Sequence, residues 1–233
     1  MSPIADNLKR VTEKIVTAAH QAGRQASDIT LVAVSKFHSL EVIEQAAAQG
    51  QVDFGENYAQ ELWAKASALR EKPVRWHMIG HLQRNKVERI IPITTLIHSV
   101  DSIRLLDALD AAGRKRNISV PVLLEVNVSR ESNKSGFAPE AMSTLGEYLL
   151  TLRNVRLEGL MTLAAYTAKP ATSRAAFEEL SKLRDRLQRE LAIPLPHLSM
   201  GMSNDFEIAI KEGATIVRIG TAIFGTREGG RTN

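Results

Sequence analysis

Eight apolar segments recur along the chain, at 30–35, 52–54, 75–79, 96–100, 120–127, 155–161, 197–200 and 215–219. Helical periodicity separates nearly all of them, over 39–49, 57–71, 83–90, 102–113, 139–152, 173–191 and 204–212. No two of the segments are joined by a hairpin signal, and strands without tight turns pair in parallel through crossover helices. The alternation therefore predicts an α/β fold with a parallel sheet. An open doubly wound sheet of eight strands satisfies the pattern. A single closed (β/α)8 barrel of the TIM type satisfies it better, because the count is eight and no long interruption divides the chain. Ahead of the first strand, Ile4, Leu8, Val11, Ile15 and Ala18 repeat at spacings of three and four. They predict an extra N-terminal amphipathic helix over 5–23, stopped at Gly23. With 233 residues and no linker, repeat or low-complexity segment, one domain over 1–233 is expected.

Composition removes several function classes. The chain has no cysteine, which excludes disulfides, thiol nucleophiles and thiolate metal sites and suits a reducing cytoplasm. Its 30 basic and 26 acidic residues leave a net charge of only +4, and no basic run is interleaved with aromatics, so nucleic acid is not an expected partner. Arg114, Lys115 and Arg116 follow Gly113 and read as a solvated helix end. The N-terminal stretch carries charges every few residues, unlike a signal peptide, and no window is apolar enough to span a membrane.

A barrel puts its working residues just after the strand C-termini and favours a phosphate site after strands seven and eight. Lys36 follows strand one, "SMGMSND" (199–205) follows strand seven, and "RIGTAIFG" (218–225) follows strand eight. Strand eight closes against strand one, so these three segments converge on one sector of the barrel mouth. Gly201 would let the backbone approach a ligand. Ser203 stands where the next helix begins, either as its N-cap or as part of an anion site. Asp205 and Glu207 in that helix's first turn argue modestly against the anion. Gly220 and Thr221 offer amides and a hydroxyl suited to a phosphate, although Gly220 also fits a plain turn. Arg218 alternates with Val217 and Ile219 in a buried-looking strand, and a charge there needs a carboxylate or a ligand atom as partner. Lys36 alone reads as a solvated strand end. Beside a phosphate cradle and a buried arginine it reads instead as an amine placed to condense with a phosphorylated aldehyde.

The remaining polar groups offer weaker signals. Asn57, after strand two, either reaches the mouth or caps the helix that follows. His77 and His81 lack the glutamate of a zinc-protease helix, so no metal site is expected. His98 and Asn127 are read as ending strands four and five on the rim, possible turn caps. Lys134 and Ser135 form a polar loop after strand five.

"AVSK" (33–36), "FGENYAQE" (54–61), "WHMIGHLQRNK" (76–86), "NKSGF" (133–137), "GLMTL" (159–163) and the stretch from Leu198 to Gly225 together resemble the pyridoxal phosphate homeostasis proteins. That family is similar to the barrel domain of alanine racemase, and the motifs span nearly the whole chain. The resemblance implies that the cofactor is pyridoxal 5'-phosphate (PLP), held as a Schiff base on Lys36. It implies a phosphate site at Ser203, Gly220 and Thr221, an arginine (Arg218) facing the pyridine nitrogen, and Asn57 near the cofactor. Lys134 falls in a motif that makes it a candidate secondary or transfer site. The sequence departs from the family's pattern at His81 and at Phe37-His38, so contacts just after the lysine are expected to differ.

An arginine cannot accept a proton from the ring nitrogen, which weakens the ring as an electron sink. In alanine racemase, which this barrel resembles, a second domain supplies a tyrosine acid/base from the partner subunit. Here no such domain is expected after Gly225, and of Tyr58, Tyr148 and Tyr166 the last two have no evident pairing. The expectation is a monomeric, cytoplasmic PLP carrier or regulator in vitamin B6 homeostasis. It would supply PLP to PLP-dependent apoenzymes and influence amino-acid pools. A PLP-dependent amino-acid racemase of low activity is the alternative, and a cofactor-free Schiff-base aldolase the third reading.

Overall fold

The computed structural model describes residues 3–131, 134–164 and 169–225. Its strands are β1 (Thr30–Val34), β2 (Asp53–Glu56), β3 (Arg75–Met78), β4 (Leu96–Val100), β5 (Val120–Glu125), β6 (Val155–Met161), β7 (His197–Ser199) and β8 (Ile216–Ile219). They pair in parallel in chain order, and β8 closes on β1 with Val32 opposite Arg218. The expected barrel is therefore present.

The helices are α1 (Pro3–Gln21), α2 (Leu40–Ala47), α3 (Ala59–Ala68), α4 (Val87–Ile90), α5 (Ile103–Arg116), α6 (Met142–Thr151), α7 (Pro170–Leu191), α8 (Phe206–Lys211) and α9 (Thr221–Phe224). Helix α1 is the expected extra N-terminal helix. It buries Leu8, Val11 and Ile15 and packs against α8, α9 and α2. Helix α9 has only four residues, so α1 covers the outer face between β8 and β1 that a full-length closing helix covers in a regular barrel.

Alternation along the strands sorts side chains into two cores. Outward residues such as Ala33, Phe54, Ile97, Val122 and Val217 join the helices in one large cluster. Inward residues Val32, Leu96, Leu123, Met161 and Ile216 form a small separate cluster inside the barrel. Gly159 of β6 has φ +152°, and a Cβ there would lie 1.9 Å from the His197 carbonyl oxygen of β7. The two strands approach so closely that no side chain fits.

Several boundaries differ from expectation. Gly113 does not end α5, which runs to Arg116 and closes at Asn117 in the left-handed conformation. A Cβ on Gly113 would come 2.9 Å from Asn154 and from the Ile118 carbonyl, so the glycine marks a close packing contact. The basic trio therefore occupies the last helical turn, where it complements the helix dipole. The expected helix over 83–90 is a 3-10 turn at Arg84–Lys86 followed by α4.

Candidate functional site

Alternation on β1 turns Val32 into the barrel and Ser35 out of it, and it carries Lys36 back inward one residue later. Lys36, Asn57 and Arg218 line one cavity of about 460 Å³ at the C-terminal mouth, together with Val34, Ile79, Gly80, His81, Glu125, Asn127 and Lys134. Its size is that of a small-molecule site. Sequence reasoning brought Lys36 and Arg218 to the same sector, and the structure brings them to the same cavity.

The turn carrying Lys36 is braced from behind. Glu56, fully buried, accepts a hydrogen bond from the Ser35 hydroxyl at 2.6 Å and pairs with Lys65 of α3 at 2.8 Å. The Lys65 ammonium also donates to the Ser35 carbonyl at 2.7 Å and to Glu61 at 2.7 Å. Glu61 in turn accepts the Phe37 amide at 2.5 Å. Phe37 needs that support: its φ of +64° costs an ordinary L-residue about 1–2 kcal/mol. Burial pushes the Glu56 carboxyl above the usual range, against the pull of Lys65 and Ser35. None of these partners was legible in the sequence. The visible signal was only Glu61 and Lys65 at a helical spacing of four, which reads as a surface pair.

Arg218 is 3% exposed and inward-pointing, as the strand pattern implied. Its nearest partners are a hydroxyl and a carbonyl rather than a carboxylate. One terminal nitrogen donates to Ser199 Oγ at 2.5 Å and the other to the Thr162 carbonyl at 2.9 Å. Burial pushes its guanidinium down to about 10, so it stays charged at neutral pH. Glu125 ends β5 across the cavity, and its carboxyl is raised, by burial first and by Asp101 second. It is the one acidic side chain among the lining residues. A ligand's anionic group is therefore disfavoured on the β5 side and favoured on the β7–β8 side.

The rim at β7 and β8 is tied together. Ser203 is not the N-cap of α8; that position belongs to Asp205, whose carboxylate accepts the Met202 amide at 2.7 Å. The Ser203 hydroxyl instead accepts the Ala222 amide in the first turn of α9 at 3.3 Å. Gly220 is the N-cap of α9 and Thr221 its exposed first residue. Gly201, expected to admit a ligand, gives way to α8: its added Cβ would meet Ala209 at 2.6 Å and Phe206 at 2.9 Å. Asn57 precedes Tyr58, the N-cap of α3, and so is not itself the cap.

Other expectations fare differently. Lys134 pairs with Glu131 at 2.6 Å at the edge of the cavity. Asn127 closes a turn by donating to the Glu131 carbonyl. His81 donates to Asp101 at the mouth. His98 does not sit on the rim; it lies in the middle of β4, fully buried inside the barrel. Tyr58 stacks on Phe37 with ring centroids 5.2 Å apart. Tyr148, which had no evident partner in the sequence, donates to Asp107 at 2.7 Å on the outer surface. Tyr166 and Asn133 lie outside the described residues.

Residues 7–228 match the family model described as alanine racemase, N-terminal domain. The pyridoxal phosphate homeostasis protein of Aquifex aeolicus is 47% identical over 96% of this chain and 98% of its own. That of Pseudomonas aeruginosa is 44% identical over 99% of this chain and 98% of its own. PipY of Synechococcus elongatus, solved with PLP bound, superposes with a TM-score of 0.83 at 33% identity, covering 95% of this chain and 100% of that one. The alanine racemase of Corynebacterium glutamicum shares the fold, with a TM-score of 0.68 at 18% identity over 94% of this chain and 61% of its own.

Proposed function

This chain belongs to the pyridoxal phosphate homeostasis protein family, and on that premise we propose that it binds PLP as a Schiff base on Lys36 and stores, buffers or supplies it. The observation that carries the reading is the convergence of Lys36 and Arg218 on one mouth cavity, with the lysine turn braced by Glu56, Lys65 and Glu61. When bound, PLP supplies an aldehyde that condenses reversibly with an amine.

The residues present fit such a group. The cavity offers an amine and a charged guanidinium to a planar anion, and its one carboxylate, Glu125, comes from β5 rather than from the β7–β8 rim. On this reading Ser203, Gly220 and Thr221 hold the phosphate with a hydroxyl and amides. Arg218 faces the ring nitrogen, Asn57 lies alongside, and Lys134 serves a secondary or transfer position. A guanidinium donates and cannot accept, so it holds that nitrogen unprotonated and dampens carbanion chemistry.

The racemase alternative, on the pattern of the two-domain enzyme this barrel resembles, calls on a tyrosine acid/base at the cavity. Among the described tyrosines, Tyr148 is committed to Asp107, with its hydroxyl pushed well above the usual range by burial and that carboxylate. Tyr58 packs on Phe37. This supports storage over turnover. The reading extends to a single-domain, monomeric protein of the cytoplasm that passes PLP to apoenzymes and so influences amino-acid pools. No helix among the described residues is long and apolar enough to cross a membrane.

The test is the visible spectrum of purified protein loaded with PLP. Wild type is expected to show the band of a protonated imine that borohydride abolishes, and Lys36→Ala is expected to lack it. A wild-type band retained in Lys36→Ala would overturn the assignment. Sustained exchange of alanine enantiomers by holoprotein would overturn the carrier reading in favour of the racemase.

A further inference from the structure

One line of polar side chains crosses the otherwise apolar barrel interior. Asp53 begins β2 and binds the solvent-exposed Arg75 of β3 at the barrel floor. Asp53 Oδ1 lies 2.9 Å from His77 Nε2, and His77 Nδ1 lies 2.9 Å from His98 Nε2. His98 Nδ1 lies 2.8 Å from Ser199 Oγ, which receives the Arg218 bond. Every member is buried, and the line runs through five side chains on β2, β3, β4, β7 and β8.

The chemistry of its two ends sets its direction. Arg218 can only donate, so Ser199 Oγ accepts from it. Ionised Asp53 can only accept; burial raises its carboxyl, but the bonds from His77 and Arg75 outweigh that and hold it below the usual range. The proton between Asp53 and His77 therefore sits on His77 Nε2. With both rings neutral, His77 Nδ1 must accept from His98 Nε2–H. That leaves His98 Nδ1 to accept the Ser199 hydroxyl. All four links are then satisfied in one sense, from Arg218 at the mouth to Asp53 at the floor. Burial first, with the Arg218 guanidinium adding to it, pushes the His98 ring well below its ordinary range, so it stays neutral.

We infer that Asp53, His77, His98 and Ser199 are positioning residues for Arg218, a one-directional line anchored at the barrel floor that fixes which edge of the guanidinium faces the mouth cavity. A guanidinium has five N–H donors. Ser199 and the Thr162 carbonyl occupy two of them, one on each terminal nitrogen, so its rotation is locked and the remaining donors are presented as a fixed set. The inference rests on the reading that Arg218 faces the ligand, and it extends the site four side chains beyond the cavity wall.

Two measurements test it. Long-range proton–nitrogen correlation on histidine-labelled apoprotein should find both His77 and His98 as neutral Nε2–H tautomers at neutral pH. An imidazolium at either ring, or an Nδ1–H tautomer, overturns the line irrespective of any ligand. With PLP loaded, Ser199→Ala should shift the bound cofactor's absorbance and weaken its retention about tenfold, the loss of one charge-assisted bond. Ser199→Thr, which restores a hydroxyl, should recover both. An unchanged spectrum and affinity in Ser199→Ala, with wild type binding through Lys36, reduces the line to a structural role and overturns the positioning claim. If wild type itself fails to hold PLP on Lys36, the functional reading fails, while the tautomer result still stands or falls separately.

Discussion

Replacing Lys65 by methionine isolates the cation that braces the lysine turn. Methionine keeps the apolar stem and removes three bonds at once, to the Ser35 carbonyl, Glu56 and Glu61. Glu56 is 0% exposed and its Oε2 already has no partner among the described residues, so its carboxylate would keep only the Ser35 hydroxyl. Orphaning a buried charge costs about 3–5 kcal/mol. The retained Ser35 bond, and the freedom of Glu61 to turn toward water, place the expected loss near about 3 kcal/mol. With a urea slope of about 3 kcal/mol per molar for a chain of this size, the unfolding midpoint should fall by about 1 M. The same change at Lys72, whose contact with Glu44 is exposed, should cost less than about 1 kcal/mol. Adding Glu56→Gln to Lys65→Met should recover more than half of the loss, because the buried charge is then gone. The pH dependence has a definite sign. Burial raises the Glu56 carboxyl in the folded state, and removing the cation raises it further. A folded pKa above the unfolded one means that the native state binds the proton more tightly, so stability lost at neutral pH returns as the pH falls through the raised value. The variant's deficit should therefore shrink on acidification. A midpoint shift below about 0.3 M, or a deficit that grows as the pH falls, would refute the reasoning.

Four other changes probe the remaining contacts. Gly159→Ala places a methyl against the His197 carbonyl and should cost about 3 kcal/mol in the same unfolding assay. Glu125→Gln should stabilise the protein at neutral pH but not in acid, because the raised carboxyl of wild type makes its ionisation a cost that appears as pH rises; equal stability at all pH would contradict its burial. Ser203→Ala removes the acceptor of the Ala222 amide and, on the proposed reading, should weaken PLP retention about tenfold by equilibrium dialysis. Arg218→Glu should protonate the bound ring nitrogen and change the cofactor's spectrum; an unchanged spectrum would sink the placement of that side chain.

Lys36 and Arg218 were legible because each follows from a period of two and a strand end, which are local properties of the chain. Arg218 was conspicuous as a charge between Val217 and Ile219, and the structure gives it buried partners. Ser203 stayed open between helix cap and anion site because Ser203 and Asp205 both have side chains that can cap, and only the fold shows that Asp205 takes the cap while Ser203 accepts the Ala222 amide. His98 was misread as a rim residue although it stands at the middle of the expected segment 96–100, a position that period-two alternation turns into the barrel interior beside His77. The brace behind Lys36 escaped notice because Glu56 and Lys65 are both residues that usually face water.

Sequence alone determined the eightfold alternation, its parallel sense and the inward turn of Arg218, since hydrophobic period is written locally, and it favoured a closed sheet over an open one; closure in chain order came from the tertiary structure. Only the tertiary structure decided what Lys36 and Arg218 meet. Asp53, His77, His98, Ser199 and Arg218 come from five strands spread over 166 positions of chain, and only barrel closure at one radius brings their polar atoms within hydrogen-bond distance. Burial then does the rest: it forces each of those groups to find a partner, and so turns an unremarkable set of polar residues into one continuous line ending at the mouth.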